Sequence, residues 1–393
     1  MYDLIIKNGR IIDSQNKIDK VADLAIDKGV IAGVGNFSTD AESSGSYSPK
    51  QAKKLTRVID ATGCIVSPGL IDTHPHIFPF TQIGTHIETL CFTSGVTTVI
   101  DPGCTGPGNY EGARWYLNMT KVKIKMLLSV TTLGLLYSPG YEENLDPVTF
   151  NHHKIEEMFN RYGDELHGLK LRLDKGRAEK AGCTNEPLME ALKLAEHLGT
   201  KLCVHCTNPP TTMDDILNVM RKGDMITHIY HNRGDTIIGK DGMVKEAAWA
   251  ARKRGVYMDC SSGTIHHSFK TSVPALGQGF MPDTIGTDIS NITAFTSPRV
   301  FNLLRILSRF LALGMSVNQV LECCTKNTAQ FLGMENKVGC FTEGCVADVA
   351  VLKLLDKEMQ YEDAEGDHIV GKQALKCMMT VADGEVVYRD DDI

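Results

Sequence analysis

Two histidines, His74 and His76, stand one residue apart at the end of the apolar run 65–72. In an extended strand the side chains of residues i and i+2 lie on the same face, so both imidazoles can be directed at one cation while Thr73 and Pro75 point away. Imidazole nitrogens are common metal ligands. The pair therefore predicts a metal site, although histidines without a ligand role also occur at this spacing and the prediction depends on further residues.

Four more ionisable side chains fall at or near the ends of later apolar segments, and they are Lys170, His205, His228 and Asp288. Each has an alternative interpretation. The two histidines could be core residues with satisfied hydrogen bonds, and Asp288 could cap a following helix. Their joint occurrence favours one shared site over separate structural roles.

Lys170 is the least expected of these residues, because an ammonium within the apolar segment 169–173 is costly if it is buried without a partner. One alternative is that Lys170 and Arg172 share an outward face and lay their alkyl stems over apolar surface. The other is that burial and nearby cations lower the pKa of the amine. The free amine would then add carbon dioxide, and the resulting carbamate would bridge two metal ions as a long carboxylate does.

Apolar segments of strand length, separated by stretches of helical periodicity, must position these residues. The repeat predicts an α/β fold, a (β/α)8 TIM-type barrel, in which catalytic residues lie at the carboxyl ends of the strands. The predicted strands are 64–73, 97–101, 124–131, 168–173, 201–205, 225–229, 256–259 and 284–287. The connections include predicted helices at 187–198, 212–221 and 245–254 and a substantial loop within 133–162.

Both chain ends carry short β-rich runs punctuated by the turn dipeptides Asn8-Gly9, Lys28-Gly29 and Asp383-Gly384. We therefore predict a small β-sandwich domain made from residues 1–64 and 337–393, with the barrel spanning 65–336. The polar segment 41–54 is predicted to be an exposed loop.

The composition narrows the class of partner. The net charge is −7, with 41 basic and 48 acidic residues well mixed, which argues against nucleic acid or an anionic membrane as a partner. The twelve cysteines are scattered through apolar segments without a secretory signal, which predicts reduced thiols. No apolar run approaches the roughly 20 residues that span a bilayer. We expect a cytoplasmic protein that acts on a small molecule.

The ordered set His-x-His, Lys, His, His, Asp resembles that of the amidohydrolase superfamily, in its binuclear subtype with a carboxylated lysine. Segments 67–74 and 344–348 are also similar, so that the resemblance covers nearly the whole chain. It implies two divalent ions, for which these nitrogen and oxygen ligands suit Zn²⁺ best. By the resemblance, His74, His76 and Asp288 hold the more buried ion, His205 and His228 hold the more exposed ion, and carboxylated Lys170 joins the two. A homo-oligomer is also implied, because members of the superfamily usually oligomerise.

The same resemblance implies a mechanism, in which water between the two ions loses a proton near neutral pH and attacks an acyl carbon. Asp288 would accept that proton and pass it to the leaving group. Arg172 would stabilise an oxyanion or bind a substrate carboxylate, with a structural salt bridge as the alternative. The chain is most similar to the deacetylase branch, which predicts removal of an acetyl group from an ester or amide of a small substrate, including carboxylate-bearing ones.

Three other functions are alternatives. Hydrolysis of a cyclic amide, as in dihydroorotases and hydantoinases, is one, but segment 77–83 lacks the arginine that dihydroorotases place after their first histidines. Nucleobase deamination is disfavoured by Lys170, because deaminases of the superfamily usually dispense with a lysine bridge. A catalytically silent scaffold is disfavoured because every ligand position is filled.

Further polar residues follow the later predicted strands, and they are His231, His266, His267, Asn291 and Thr293. Contact with substrate is one interpretation of these positions. We expect them instead to be solvated loop residues.

Overall fold

The computed structural model describes residues 2–38, 56–296 and 300–393. The segment 41–54, predicted to be an exposed loop, lies outside these residues. The strands are β1 (Leu4–Asp13), β2 (Ile18–Asp27), β3 (Val30–Gly35), β4 (Arg57–Asp60), β5 (Ile65–Pro68), β6 (Leu70–Asp72), β7 (Val96–Asp101), β8 (Lys123–Ser129), β9 (Leu166–Leu173), β10 (Leu202–Cys206), β11 (Met225–Thr227), β12 (Tyr257–Ser261), β13 (Thr284–Gly286), β14 (Val349–Glu362), β15 (His368–Ala382) and β16 (Glu385–Arg389). The α-helices are α1 (Ile87–Phe92), α2 (Tyr110–Ala113), α3 (His152–Tyr162), α4 (Lys175–Lys180), α5 (Glu186–His197), α6 (Met213–Val219), α7 (Glu246–Arg254), α8 (Phe269–Gly277), α9 (Leu303–Ala312), α10 (Val317–Cys323) and α11 (Lys326–Leu332).

Strands β6 to β13 form one parallel sheet in chain order, so that each strand pairs with the next. The predicted helices appear as α5, α6 and α7. Helix α5 shows why they pack on the barrel, because Leu188, Ala191, Leu192 and Ala195 recur at spacings of three and four residues and are buried. The predicted (β/α)8 TIM-type barrel is confirmed.

Contacts between the chain after β6 and the chain after β13 close the barrel. The backbone N–H of His76 donates to the carbonyl of Ile289 at 2.9 Å. The buried carboxylate of Asp72 accepts hydrogen bonds from the backbone N–H of Thr287 at 2.9 Å and from its hydroxyl at 2.7 Å. First and last strands are thereby fixed against each other at the end of the barrel where the predicted ligands lie.

The first predicted strand, 64–73, is in fact two strands in two different sheets. Strand β5 pairs with β1 and β14 in the terminal domain, whereas β6 pairs with β7 in the barrel. Gly69 alone separates them, and its N–H donates to the backbone carbonyl of Asp348 at 2.8 Å. The chain therefore passes directly from one domain to the other through this junction.

Both chain ends build the terminal domain, as predicted. Its sheet has the order β16-β15-β14-β5-β1-β2-β3, with β4 paired to β1. The apolar core combines residues from the two termini, among them Leu4, Ile6, Leu24, Val349 and Met379. The β-sandwich expected from the termini is confirmed.

Two of the three predicted turns are confirmed and one is wrong. The Lys28-Gly29 pair joins β2 to β3, and Asp383-Gly384 joins β15 to β16. Asn8-Gly9 does not end a strand, because β1 continues through it with a shift in register. Asn8 adopts a φ of +61°, and its N–H donates to the carboxylate of Asp23 at 3.0 Å. The dipeptide supplies the positive φ of a β-bulge rather than that of a turn.

The structure bears out two further expectations. The cysteines are free thiols, nearly all of them buried. Within the described ranges, no helix combines the length and the apolar character needed to cross a membrane.

Candidate metal centre

The predicted ligands gather at one end of the barrel. His74 and His76 follow β6, Lys170 lies within β9, His205 lies within β10, His228 directly follows β11, and Asp288 follows β13. Because the barrel strands run in the same direction, their carboxyl ends meet at one edge. All six residues are buried.

A first group of ligand atoms combines the two ends of the barrel. His74, His76 and Asp288 each offer an atom within 4.8 Å of the others. The Nε2 atom of His76 lies 3.1 Å from Oδ1 of Asp288, and Nε2 of His74 lies 3.9 Å from the same oxygen. Two imidazoles and one carboxylate that converge in this way form a donor set that suits a divalent transition metal.

A second group is formed by His205 and His228, whose ring centroids are 4.5 Å apart with the planes at 76°. The Nδ1 atom of His228 lies 2.7 Å from the carbonyl of Ser261, to which it can only donate. Its Nε2 is buried and has no hydrogen-bond partner among the described residues. A ring nitrogen that is left with a free lone pair and directed into the site is what a metal ligand requires.

His266 joins this second group, although it was expected to be a solvated loop residue. Its ligand atom lies within 4.8 Å of those of His205 and His228, and its ring stacks on that of His228 with a centroid separation of 4.0 Å and an angle of 22°. Lone pairs of imidazole lie in the ring plane, so two nearly parallel stacked rings are poorly oriented to share one ion. The perpendicular pair His205 and His228 is the better chelate.

His266 is held by its own contacts beside this pair. Its Nδ1 lies 2.8 Å from the hydroxyl of Thr207, and its Nε2 lies 3.4 Å from Oδ2 of Asp288. His266 therefore adjoins both groups of ligand atoms.

Lys170 points into the barrel and not outward. Only 3% of the residue is exposed, and its Nζ lies 3.5 Å from Sγ of Cys203. In the described part of the chain no carboxylate forms an ion pair with this nitrogen. The outward-facing alternative is wrong, and the amine reaches the same cavity as the histidines.

The turn after β7 is shaped around the lysine. Gly103 has a φ of +87°, and a Cβ at this position would lie 2.7 Å from both Cβ and Cγ of Lys170. A side chain at residue 103 would therefore collide with the stem of Lys170 as well as disfavour the backbone conformation.

Two of the predicted ligands have unusual backbone conformations. His228 and Asp288 have φ values of +67° and +53°. For a residue other than glycine, this left-handed region costs about 1–2 kcal/mol. Such strain concentrates at functional sites, where the surrounding structure holds the residue in place. Here it turns both side chains into the barrel mouth directly after their strands.

Burial sets the protonation states of the histidines. It lowers the pKa of His74, His205 and His228 well below the ordinary imidazole value, and neighbouring charges lower it further, that of Lys170 foremost for His74. These rings are therefore neutral at pH 7, which is the state that binds metal.

Asp288 is ionised, because the interactions that favour its carboxylate outweigh the effect of burial. Burial favours the protonated acid, but the hydrogen bond with His76 and the neighbouring His74 outweigh it and hold the pKa of the carboxyl well below its usual range. An ionised carboxylate beside imidazole nitrogens forms a donor set that fits a divalent cation.

Arg172 lines the same cavity as Lys170, from the next inward position of β9. Its guanidinium is one-quarter exposed and lies 3.7 Å from Oε2 of Glu143. This separation is longer than a hydrogen bond. The buried Glu143 is held in turn by the hydroxyl of Thr131 at 3.2 Å. Arg172 thus lies beside Glu143 and also lines the cavity, where a ligand can reach it.

The cavity at the barrel mouth has a volume of about 200 Å³. Its walls combine the residues already described with the apolar Ile83, Pro102, Leu135, Ile265 and Ile292 and with the polar Ser138, Thr264, Ser290 and Thr293. Leu135 and the Arg172 partner Glu143 both belong to the long connection predicted within 133–162. A cavity of this volume accommodates a small molecule.

Sequence analysis did not identify Asp259, which supports the site from below. Its fully buried carboxylate accepts hydrogen bonds of 2.5–2.9 Å from the hydroxyls of Thr73, Thr227, Ser261 and Thr284. Burial raises the pKa of this acid. Because Thr73 precedes His74 and Thr227 precedes His228, one carboxylate fixes the strands that carry both. An acid in a buried strand, with hydroxyl residues at the ends of neighbouring strands, was the available signal.

Other residues expected to be solvated are buried. His231 and His267 are 0% and 1% exposed and Thr293 is 6% exposed, whereas Asn291 is partly exposed. Thr293 lines the cavity and its hydroxyl accepts a hydrogen bond from the Ser290 N–H at 2.6 Å. Thr293 is thus buried at the barrel mouth, whereas the ring of His267 packs on Phe310 of α9.

Comparison with known proteins agrees with this architecture. A family model described as the Amidohydrolase family matches residues 65–387. The deacetylase Atu3266 of Agrobacterium fabrum is 30% identical over 321 residues, which cover 81% of this chain and 77% of the relative.

Two solved structures superpose closely on almost the whole chain. A crystal structure of an adenine deaminase has a TM-score of 0.86 at 26% identity and covers 99% of this chain and 100% of that one. A crystal structure of a dihydroorotase has a TM-score of 0.84 at 25% identity and covers 98% and 99%. With the family model extending over most of its length, the chain belongs to the amidohydrolase family.

Proposed function

We propose that the protein is a deacetylase that uses two divalent metal ions, most suitably Zn²⁺, to hydrolyse an acetyl ester or amide of a small substrate. The observation that carries the proposal is the convergence of two adjoining ligand groups at the barrel mouth. The amidohydrolase family is generally metal-dependent, and a curated relative that shares 30% identity is a deacetylase.

The two groups divide the proposed ligands. His74, His76 and Asp288 would hold one ion, and His205 and His228 would hold the other. The rings of His74 and His228 have centroids 5.0 Å apart, so the two groups adjoin. The buried Nε2 of His228 supports the assignment, because an unpartnered polar atom in a protein interior is costly unless something binds it.

Lys170 would join the two ions as a carbamate. Its Nζ is buried, and a sulfur atom at 3.5 Å is a poor partner for an ammonium group. The free amine resolves this problem by adding to carbon dioxide, which forms an N–C bond and releases one proton. The product carries a negative charge among neutral histidines, where it would balance the cations.

The residues of the chain then have distinct tasks. Bound divalent ions supply Lewis acidity, which favours ionisation of water and polarises an acyl carbonyl. Asp288 accepts the proton of the attacking water on its carboxylate and returns it to the leaving group. Arg172 offers a guanidinium to a carboxylate of the substrate, opposite the apolar wall of Ile83 and Leu135. The roughly 200 Å³ cavity limits the substrate to a small molecule.

A cyclic amide hydrolase is the second candidate, because a dihydroorotase structure superposes with a TM-score of 0.84. The segment that follows His76 favours the deacetylase. Its residue Ile83 gives the cavity an apolar wall, and the guanidinium that lines the cavity comes from Arg172 on β9. A dihydroorotase-like arginine after the first histidines is absent from residues 77–83.

One panel of assays separates these functions. Purified enzyme is loaded with Zn²⁺ and incubated with N-acetyl and O-acetyl derivatives of hydroxy acids and amino acids, with dihydroorotate, with hydantoin and with adenine. We expect acetate release and neither ring opening nor ammonia release. Ring opening without acetate release would overturn the deacetylase assignment, and failure of the protein to bind metal would overturn the metal centre itself.

A further inference from the structure

His76 is the one proposed ligand whose outer ring nitrogen meets a sulfur atom. Its Nε2 faces Asp288 Oδ1 at 3.1 Å, while its Nδ1 lies 3.2 Å from Sγ of Cys104 on the opposite side of the ring. If Nε2 keeps its lone pair for a cation, the ring proton must reside on Nδ1. The Nδ1–H group then donates to the sulfur of Cys104.

The turn after β7 holds this sulfur in place. The Cys104 N–H donates to Oδ1 of Asp101, the last residue of β7, at 2.8 Å. Gly103 allows the turn to pass closely over Lys170. Cys104 itself is 2% exposed. The sulfur is thus fixed to a barrel strand and has little freedom to leave the imidazole.

The sulfur of Cys104 can accept this hydrogen bond, because a cysteine sulfur carries lone pairs. The distance of 3.2 Å between His76 Nδ1 and Cys104 Sγ is within the range of a hydrogen bond to sulfur.

His228 offers an internal comparison, because its Nδ1 donates to a backbone carbonyl, that of Ser261, at 2.7 Å. An outer partner of this kind fixes the tautomer and the ring orientation of a ligating histidine. The partner of His228 is a backbone group, which a substitution of Ser261 would leave in place. The partner of His76 is the side chain of Cys104, so a single substitution can remove it.

We propose that Cys104 is a positioning residue for the first metal ion, which it serves by fixing the tautomer and orientation of His76. This inference rests on the proposed metal centre. Cys104 acts through the imidazole and is not itself a ligand, since its sulfur contacts the ring nitrogen that faces away from Asp288.

The test uses metal affinity and needs no substrate. Metal-free protein is titrated with Zn²⁺ in competition with a chromogenic chelator. We compare wild type with Cys104→Ala and Cys104→Val, which both lack an acceptor but differ in volume, and with Cys104→Ser, whose hydroxyl can accept the same bond. Cys91→Ala is the matched control, because Cys91 is a buried thiol on α1 that no proposed ligand contacts.

We expect the alanine and valine variants to bind the tighter ion about 10- to 100-fold more weakly, as losses of such outer partners do. The serine variant should recover most of the affinity, and the Cys91 control should match wild type. Equal affinities for all Cys104 variants and wild type would overturn the positioning role while leaving the metal centre intact.

A second readout distinguishes positioning from direct ligation. Wild-type protein loaded with Co²⁺ should lack a sulfur-to-cobalt charge-transfer band in the near ultraviolet. A band that is present in wild type and lost in Cys104→Ser would show that Cys104 is a ligand, and it would overturn the inference. A wild-type protein that binds neither metal would remove the inference together with the proposed function.

Discussion

His76 and Asp288 face each other across the closure of the barrel, with Nε2 of the histidine 3.1 Å from Oδ1 of the aspartate. The histidine follows the first barrel strand and the aspartate follows the last. Any shift between these strands would separate the two side chains, so the geometry of the site depends on the closure of the barrel. The geometry of the site therefore depends on the barrel strands as well as on the ligand side chains.

Replacement of Lys170 by alanine should remove the bridge between the ions. We expect wild type to retain about two ions per chain, and we expect the variant to retain fewer and to release acetate at least about a hundredfold more slowly. Short carboxylic acids should restore part of the activity, because they can occupy the place of the carbamate. The exposed Lys193 on α5, replaced by alanine, is the control.

The carbamate can also be observed directly. After incubation with ¹³C-bicarbonate, wild-type protein should show a carbamate carbon signal by NMR that the Lys170→Ala variant lacks. Full metal content and full activity in that variant would contradict the assignment.

Arg172→Met should weaken the binding of substrates that carry a carboxylate. Loss of a hydrogen bond to a charged group predicts an increase in KM of about tenfold to a hundredfold, with a smaller change for an acetylated neutral alcohol of the same size. Steady-state kinetics on the matched pair of substrates measures the difference. Equal effects on both substrates would instead favour an oxyanion role or the structural pairing with Glu143.

Gly103→Ala should disturb the metal centre through Lys170. The added Cβ would approach the lysine stem to 2.7 Å, in addition to the strain of a φ of +87°. Gly182→Ala is the control, since Gly182 has a φ of +67° and no atom within 4 Å of the added Cβ. The control should lose about 1–2 kcal/mol of unfolding free energy.

Gly103→Ala should lose more than the control and should also bind less metal. Urea unfolding and metal analysis measure both quantities. A variant whose unfolding free energy and metal content match those of the control would show that the lysine stem adapts to the added methyl group.

Acidification should destabilise the metal-free protein through histidines that the fold keeps neutral. Burial lowers the pKa of His167 and of His231 to about 4, whereas in the unfolded chain the value is about 6.5. Between these values the unfolded state binds more protons, so the free energy of unfolding falls as the pH falls through this window and is unaffected by these groups above it.

Urea unfolding in the presence of a chelator, at intervals from pH 7.5 to pH 4.5, measures this dependence. His167→Gln removes one of the buried histidines with a lowered pKa and should reduce the slope, because glutamine does not titrate. His197→Gln, at an exposed position on α5, serves as the control. An unchanged slope in the His167 variant would show that this histidine is not kept neutral by the fold.

The meeting of the candidate ligands at one end of the barrel could be predicted because the signals are local. Apolar segments of strand length precede His74, His205, His228 and Asp288, although His74 and His76 lie beyond the end of β6 and not within a strand. The repeat of strand and helix then fixes where those ends meet. The burial of His266 and His267 could not be predicted, because it depends on residues distant in sequence, Thr207 beside His266 and Phe310 of α9 beside His267.

Two errors in the predicted strands have physical causes. Asn8-Gly9 has the positive φ that both a hairpin turn and a β-bulge require, and only the pairing of β1 with β2 distinguishes them. The run 64–73 is mostly apolar on both sides of Gly69, so its hydrophobicity does not mark the change from one sheet to the other. The role of Asp259 depends on Ser261 of its own strand and on the hydroxyls of three residues distant in sequence, and no local pattern connects them. These are Thr73, Thr227 and Thr284.

The passage from β5 to β6 through a single glycine makes the two domains inseparable in practice. Strand β5 is wedged between β1 and β14, and the chain reaches His74 only a few residues later. A shortened protein that ends before β14 would expose the edge of β5 and unanchor the segment that delivers the histidines. A shortened protein that keeps the barrel intact would therefore have to include the N- and C-terminal strands that pair with β5.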